Sequence, residues 1–293
     1  FYEFLQSRIN EDNQQMLYEA AGHCLLPDVV FQKFLVLVGN GNNGKTVILN
    51  QITRILGKKN VSAIKLQELS DRFTTEKLLG KQANICADIP NTALKDTSTL
   101  KLLTGQDLVK AEYKGGEVFF FRNKAKFLFS CNELPSVLDD RSNGFFRRLQ
   151  IIRFPEQGKF IPDLYEKLAE EHEVEILISY LVSRVKLALE RGKLYESREN
   201  IAEISKLREE SDTVQSFLNN ATTPNKEGRV RRPDLFAAYI DFCKNEDRIP
   251  LGKVAFFKAL RTKGCNEVKS CGENYICGLE LGFMQVEETP FDD

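Results

Sequence analysis

Residues 33 to 57 read KFLVLVGNGNNGKTVILNQITRILG, passing from an apolar run through a Gly–Asn turn into a second run with apolar periodicity. FLVLV, residues 34–38, has the composition of a buried strand. After the turn, Ile48, Ile52 and Ile55 recur at spacings of four and three, which predicts an amphipathic helix over 46–56 with Gly57 as its C-terminal cap. Between strand and helix, Gly39-Asn40-Gly41-Asn42-Asn43-Gly44-Lys45-Thr46 matches the pattern G-x-x-x-x-G-K-[ST]. In that pattern the glycines let backbone N–H groups turn toward phosphates, and the helix N-terminus favours the anion. Lys45 is expected to reach the β- and γ-phosphates and Thr46 to bind magnesium. A bound nucleotide with a divalent metal is therefore the first expectation.

Outward from this loop, short apolar strands alternate with helices as far as residue 154. The predicted strands are 34–38, 61–64, 83–87, 126–131 and 150–154, and the predicted helices are 46–56, 67–79 and 96–104. Such alternation predicts an α/β domain with a mostly parallel sheet. Residues 1–26 read as helix, and 163–210 return to helix rich in Glu, Lys and Leu. "LVKAEYKGGEVFFF" interrupts the alternation with two extended runs around Gly115-Gly116, a hairpin signal. "NNATTPNKEGRVRRP" reads as a loop of turn-formers. Helices at 234–246, opened by Pro233, and at 253–263 then precede two short strands, around "NEVK" and "NYICGLEL", which is winged-helix order.

Several residues carry candidate chemistry. "ANICADIP" ends an apolar run on Asp88, which suits a holder of the metal's water shell; its neighbour is Ala87, so the paired acids of many such enzymes are not present there. Asp88 also reads as a cap of the turn before Pro90. "KFLFSCNELP" ends a strand on Asn132, an amide able to orient a water or touch the γ-phosphate, or else a turn residue. Arg147 and Arg148, in "NGFFRRLQIIRF", read either as a surface pair or as an arginine reaching a neighbouring subunit's γ-phosphate. The hairpin region carries Lys110, Lys114, Arg122, Lys124 and Lys126 against Glu112 and Glu117, a finger suited to a phosphate backbone. Phe119, Phe120 and Phe121 offer stacking surfaces, with two of the three expected in the core. Lys253, Lys258, Arg261 and Lys263 fall in a stretch without an acid, which suits either DNA or a protein partner.

Composition excludes several classes. The 293 residues are 42% hydrophobic and 28% charged, globular values that leave no room for wholesale disorder. A net charge of −1 points to local basic patches rather than a basic whole. No run approaches the ~18 apolar residues of a membrane span. Seven cysteines without a Cys-x-x-Cys, beside only two histidines, suit free thiols of a reducing compartment. Four of those cysteines lie between 243 and 277 at spacings that match no zinc knuckle. The chain opens on Phe1 within a helical pattern, as a segment of a longer polypeptide would; the acidic end "VEETPFDD" reads as a solvated tail.

In order and spacing these motifs resemble the superfamily 3 helicases of the AAA+ class, within the phage and plasmid primase–helicase group related to the poxvirus primase–helicase. The resemblance rests on "GNGNNGKT", on "LKLLTGQDLVKAEYKGGEVFFFRNKAKFLFSCNELP", on "DDRSNGFFRRLQIIRFP" and on "LALERGKLYES…REESDTVQSFL". It implies an AAA+ P-loop NTPase core with a parallel sheet, an N-terminal helical segment and a C-terminal winged-helix domain. The implied division is a helical segment over 1–30, the ATPase core over 31–156, a helical connector over 157–204 and the winged helix with its tail over 205–293. The implied cofactors are ATP and Mg2+, and the implied activity is ATP-dependent translocation on single-stranded DNA, 3′ to 5′, by a homo-hexameric ring. Lys45, Thr46, Asp88 and Asn132 would come from one subunit and Arg147 or Arg148 from the next, with Lys114 as phosphate contact. Many relatives carry an N-terminal primase-polymerase domain, and the implied setting is the cytoplasm of a bacterial or archaeal host of a phage or plasmid. Two further readings stand beside this one: an AAA+ machine acting on protein, and an origin-binding protein that uses nucleotide to assemble. A GTPase would need Asn-Lys-x-Asp, and "NKAK" at 123 and "NKEG" at 225 both lack the Asp.

Overall fold

Phe34–Val38 forms β1, buried along its whole length, and its two flanking strands explain why. In the computed structural model, which describes residues 1–92, 94, 96–135, 143–155, 161–246, 248, 250–270 and 272–282, β1 lies inside a five-stranded parallel sheet. The other strands are β2 (Val61–Ser62), β3 (Ala83–Cys86), β6 (Lys126–Cys131) and β7 (Leu149–Arg153), in the order β2-β3-β6-β1-β7. Val38 pairs with Cys131 on one side and Arg153 on the other, and Cys86 pairs with Phe129. A parallel sheet covered on both faces reads as continuous apolar strands, as FLVLV does and as FLF within KFLFSC does.

Helices supply the covers. α1 (Tyr2–Gln6) and α2 (Glu11–His23) precede β1, and α3 (Lys45–Leu56) follows its loop. Leu35 and Leu37 pack in one core with Met16 and Leu17 of α2 and with Ile48, Leu49 and Ile52 of α3. α4 (Ser98–Thr104) leads to a separate antiparallel hairpin, β4 (Leu108–Glu112) and β5 (Val118–Arg122). α5 (Asn143–Phe146) enters β7, and α6 (Leu164–Lys167), α7 (Glu171–Arg191) and α8 (Arg198–Ser211) follow. Leu177, Leu181, Val185 and Ala188 form the buried stripe of α7, at helical spacing.

The chain divides into two compact units, Phe1–Lys206 and Leu207–Asp293. The second has the order α9 (Thr213–Ala221), β8 (Thr222–Arg231), α10 (Arg232–Asn245), α11 (Lys253–Thr262), β9 (Asn266–Ser270) and β10 (Glu273–Leu281). Its sheet is antiparallel in the order β8-β10-β9. Phe217, Tyr239, Phe242, Phe256 and Phe257 make an aromatic core, with Tyr239 stacked on Phe256 at 4.2 Å. The Tyr239 hydroxyl meets the Thr213 hydroxyl at 2.5 Å and accepts from the Leu251 N–H at 2.9 Å, so its buried polar end is satisfied.

Three elements differ from the sequence expectation. The helix over 1–26 is two, because Ser7 Oγ donates to the Phe4 carbonyl and Asn10 caps a new start by accepting from Asn13 N–H. The helix expected over 67–79 is two 3₁₀ turns, Leu66–Glu68 and Thr75–Leu78, with Phe73 at φ 64° between them, a left-handed backbone that no helix carries through. The expected loop of turn-formers contains β8, whose Pro224 is admissible because β8 is an edge strand. No helix among the described residues is long and apolar enough to cross a membrane. The six described cysteines are free, and no cluster of metal-ligating residues occurs among the described residues. Cys271, the acidic tail from Val286 and the stretch Asp139–Ser142 lie outside the described residues.

Candidate functional site

A parallel sheet has two unlike edges, and ligands of such sheets gather at the carboxyl ends of the strands. β1, β6 and β3 deliver the loop at Gly39, Asn132 and Asp88 to that one edge. Asp88 does not follow a strand bonded to β1, because β6 intervenes, so Asn132 stands between the loop and Asp88 in strand order. Asn132 and Asp88 are exposed there, as is Thr46 in the first turn of α3.

The loop closes around Lys45. Its side chain is buried and its ammonium donates to the Gly39 carbonyl, to Asn43 Oδ1 at 2.9 Å and to the Asn40 carbonyl at 3.4 Å. Burial depresses the proton affinity of this amine, and the negative charge of Asp88 offsets part of that shift. The Asn43 side chain is itself 2% exposed, and its Nδ2 has no partner. A buried cation held by neutral oxygens alone, beside an unused amide donor, is a site that gains from an anion. Gly44 and Gly39 are fixed by geometry: Gly44 has φ 95° and a Cβ there would stand 2.6 Å from the Phe4 ring, while one at Gly39 would stand 2.8 Å from the Phe154 carbonyl oxygen. Gly41 has open space around it, and Asn40 and Asn42 are exposed.

Asp88 itself sits at φ 55°, a left-handed position that Asp tolerates better than most residues. Ser130 holds this turn, its hydroxyl accepting from Asp88 N–H at 3.3 Å and its carbonyl from Ile89 N–H at 2.9 Å. No local signal in the sequence marks Ser130, since only pairing of β3 with β6 brings it there. Glu133, likewise unmarked by any motif, follows Asn132 and accepts from Asn91 Nδ2 at 3.3 Å.

Arg147 and Arg148 lie at the opposite edge, just before β7, where the Arg148 carbonyl accepts from Phe34 N–H. Five strand residues, about 16 Å, separate them from the loop edge. The two differ sharply. Arg148 is 6% exposed and donates to the Gly144 carbonyl at 2.6 Å. Arg147 is exposed and its Nη2 donates to Gln32 Oε1 at 3.3 Å.

In the hairpin, Val109 and Ala111 face Phe121 and Phe119 across the ladder, and this is the packed side. The other side presents Lys110 opposite Phe120 and Leu108 opposite Arg122, with Phe120 63% exposed. Of the three phenylalanines Phe121 is buried and Phe119 half-buried, stacked on Tyr113 at 5.1 Å. Lys114 is exposed at the tip beside Gly115. Arg122 donates to the Gln106 carbonyl at 3.2 Å, and Lys124 pairs with Asp28 at 3.3 Å. Lys126 does not belong with them: it is 2% exposed on β6 and its ammonium is spent on the Leu26 carbonyl.

Comparison with known proteins adds three likenesses. The profile of a protein family described as "Family of unknown function (DUF5906)" matches residues 37–148, which include the loop, Asp88, the hairpin and Asn132. A protein of Acanthamoeba polyphaga mimivirus that carries a provisional helicase name is 30% identical over 145 residues. By sequence, then, the chain is similar to a viral protein named as a helicase. That match covers 44% of this chain and 14% of the viral protein, so the chain spans a small part of that relative. Among solved structures, the A-form apo structure of the NrS-1 C-terminal region superposes with a TM-score of 0.54 at 12% identity, covering 91% of this chain and 71% of that one. A second apo structure of that region gives 0.53 at 13% identity, with coverages of 90% and 71%. At such identities the likeness is one of fold, and it extends over most of the chain.

Proposed function

We propose that the chain is the helicase part of a superfamily 3 AAA+ enzyme of the phage and plasmid primase–helicase group, hydrolysing ATP to translocate 3′ to 5′ on single-stranded DNA as a hexameric ring. The observation that carries this reading is the buried Lys45 ammonium, held by neutral oxygens within a glycine turn at the carboxyl edge of a parallel sheet. Residues 39–46 would cradle the phosphates, with Lys45 exchanging its carbonyl partners for phosphate oxygens and Asn43 Nδ2 adding a donor. Thr46 and Asp88 would hold the magnesium ion, whose chemistry is to neutralise charge on the phosphates. Asn132 would orient the attacking water, and Glu133 stands at the same edge as the second carboxylate missing beside Asp88.

Arg147 would serve the neighbouring subunit's nucleotide, because it is exposed on the edge away from its own loop, whereas Arg148 is committed to its own chain. Lys114 at the tip, with Lys110, Arg122 and Lys124 behind it, would meet the DNA backbone, and the exposed Phe120 ring would stack on a base. We take residues 1–30 as a helical segment, 31–156 as the ATPase core, 157–204 as a connector and 205–293 as a winged helix. A primase-polymerase domain in the same polypeptide would complete the enzyme, inside a bacterial or archaeal host cell.

The test is ATP turnover with and without single-stranded DNA. Lys45→Ala is expected to abolish turnover, and Lys114→Ala to remove DNA stimulation while leaving basal turnover intact. Absence of stimulation in an assembled wild-type ring would replace this reading with a machine directed at protein.

A further inference from the structure

The segment between β2 and β3 is fastened at three places, and two of them belong to different parts of the first unit. Asn84, fully buried on β3, holds its root: Oδ1 accepts from Ile64 N–H at 2.8 Å and Nδ2 donates to the Ile64 carbonyl at 2.9 Å. The 3₁₀ turn Leu66–Glu68 then meets the stretch that follows Asp88. There Gln67 Nε2 donates to the Pro90 carbonyl at 2.8 Å and to the Thr92 carbonyl at 3.3 Å. Farther along, the segment meets the hairpin. Arg72 forks onto Glu112 of β4, Nε to Oε2 at 3.1 Å and Nη2 to Oε1 at 2.7 Å, and Thr75 Oγ1 donates to the Lys110 carbonyl at 3.0 Å. The segment therefore bridges the Asp88 turn and β4 directly, where the main chain runs the longer way through α4.

Buried Leu66, Leu69 and Leu78 seat this segment, but its polar ends are not what stabilises it. The Arg72 side chain is 72% exposed, and an exposed ion pair contributes little to folding. Gln67 leaves its Oε1 buried without a partner while its amide donor is shared between two carbonyls. Between the two ends Phe73 sits at φ 64°, a strained conformation for a bulky residue, with the Arg72 guanidinium 4.7 Å from its ring centroid. Asp88 at φ 55° is left-handed as well. An unsatisfied acceptor and a strained backbone, held between two sites, suit an element with two arrangements rather than a fixed brace.

We propose that residues 64–78 are a transmission link between the Asp88 turn and the β4–β5 hairpin, with Gln67 and Arg72 as its positioning residues. Movement of the Asp88 turn carries the Pro90 and Thr92 carbonyls, Gln67 follows them, and Arg72 passes the displacement to β4 beside Lys110. The inference rests on the proposed function for what lies at each end, and adds the route by which nucleotide at one end is felt at the other.

Hydrogen exchange of the full chain, with and without a non-hydrolysable ATP analogue and magnesium, tests it. In the wild type the nucleotide should change exchange both at the loop 39–46 and at the hairpin amides of 108–122. In Gln67→Ala and Arg72→Ala the loop should still respond, and the hairpin response should fall by about 2- to 30-fold. Arg72→Glu should abolish that response, and Arg72→Glu/Glu112→Arg should restore part of it, which a merely structural role would not do. Arg72 is exposed, so Arg72→Ala should keep the melting temperature and basal ATP turnover while losing stimulation by single-stranded DNA. A hairpin response that survives in both alanine variants overturns the link, as does a wild-type hairpin that ignores the nucleotide. A wild type whose hairpin responds but whose turnover ignores DNA would instead sink the motor reading and leave the link in place.

Discussion

Lys45 and Lys126 are both buried lysines, 5% and 2% exposed, and the difference between them is what their ammonium groups touch. Lys126 ends on one fixed carbonyl, that of Leu26, at the floor of the sheet; Lys45 ends in a turn whose oxygens can be exchanged for a ligand's. The loop around Lys45 was legible because its chemistry is local, eight consecutive residues. The burial of Lys126 was not, since its ammonium meets the Leu26 carbonyl, a hundred residues away beyond the end of α2. The same holds for the arginine pair. Arg148→Ala is expected to cost about 2 kcal/mol in urea unfolding through its buried charged hydrogen bond, and Arg147→Ala less than about 0.5 kcal/mol. His23 adds a pH dependence. Its Nε2 accepts from Val30 N–H at 3.2 Å and Phe31 N–H at 3.3 Å, and burial depresses its pKa from 6.5 to about 3. The unfolded chain takes up a proton below pH 6.5 that the folded chain refuses until about pH 3, so this stability is complete above 6.5 and falls as pH drops toward 3. Between about pH 7 and 5 the loss should be about 2 kcal/mol, and unfolding of His23→Gln at the two pH values should lack it.

Elements differ in how openly the sequence declares them. β1 is a continuous apolar run that can only be buried, β6 carries the apolar core FLF, and both appear with the expected bounds. β8 is hidden because an edge strand tolerates Pro224 and Gly228, residues that elsewhere announce a loop. The hairpin is legible in existence but not in facing, because three consecutive phenylalanines carry no alternation. Its ladder supplies the answer and a paired prediction. Phe121→Ala is expected to destabilise by about 3 kcal/mol, since the ring packs inward. Phe120→Ala should leave the melting temperature unchanged and weaken single-stranded DNA binding by about 1–3 kcal/mol, read by anisotropy. If Phe120→Ala melts early instead, the exposed ring is part of the fold and the stacking role fails.

At the scale of the first unit, the sheet's polarity governs where chemistry can occur. Loop, Asn132, Glu133 and Asp88 stand at one edge, and Arg147 at the other. If both edges serve one reaction, Lys45→Ala chains and Arg147→Ala chains, each inactive alone, should regain part of the wild-type turnover when mixed. No recovery at any ratio would mean that Arg147 has no part in the neighbour's site. Glu133→Gln should lower turnover roughly 10²–10⁴-fold with nucleotide binding retained, if that carboxylate is the base. The two edges have one more consequence, which is kinetic. If Arg147 serves the neighbour's nucleotide, a chain that keeps its lysine and its arginine on opposite ends of a parallel sheet cannot work in isolation. Turnover per chain should therefore climb with protein concentration and vanish on dilution, with no inhibitor present, because solvent alone separates the two halves of each site.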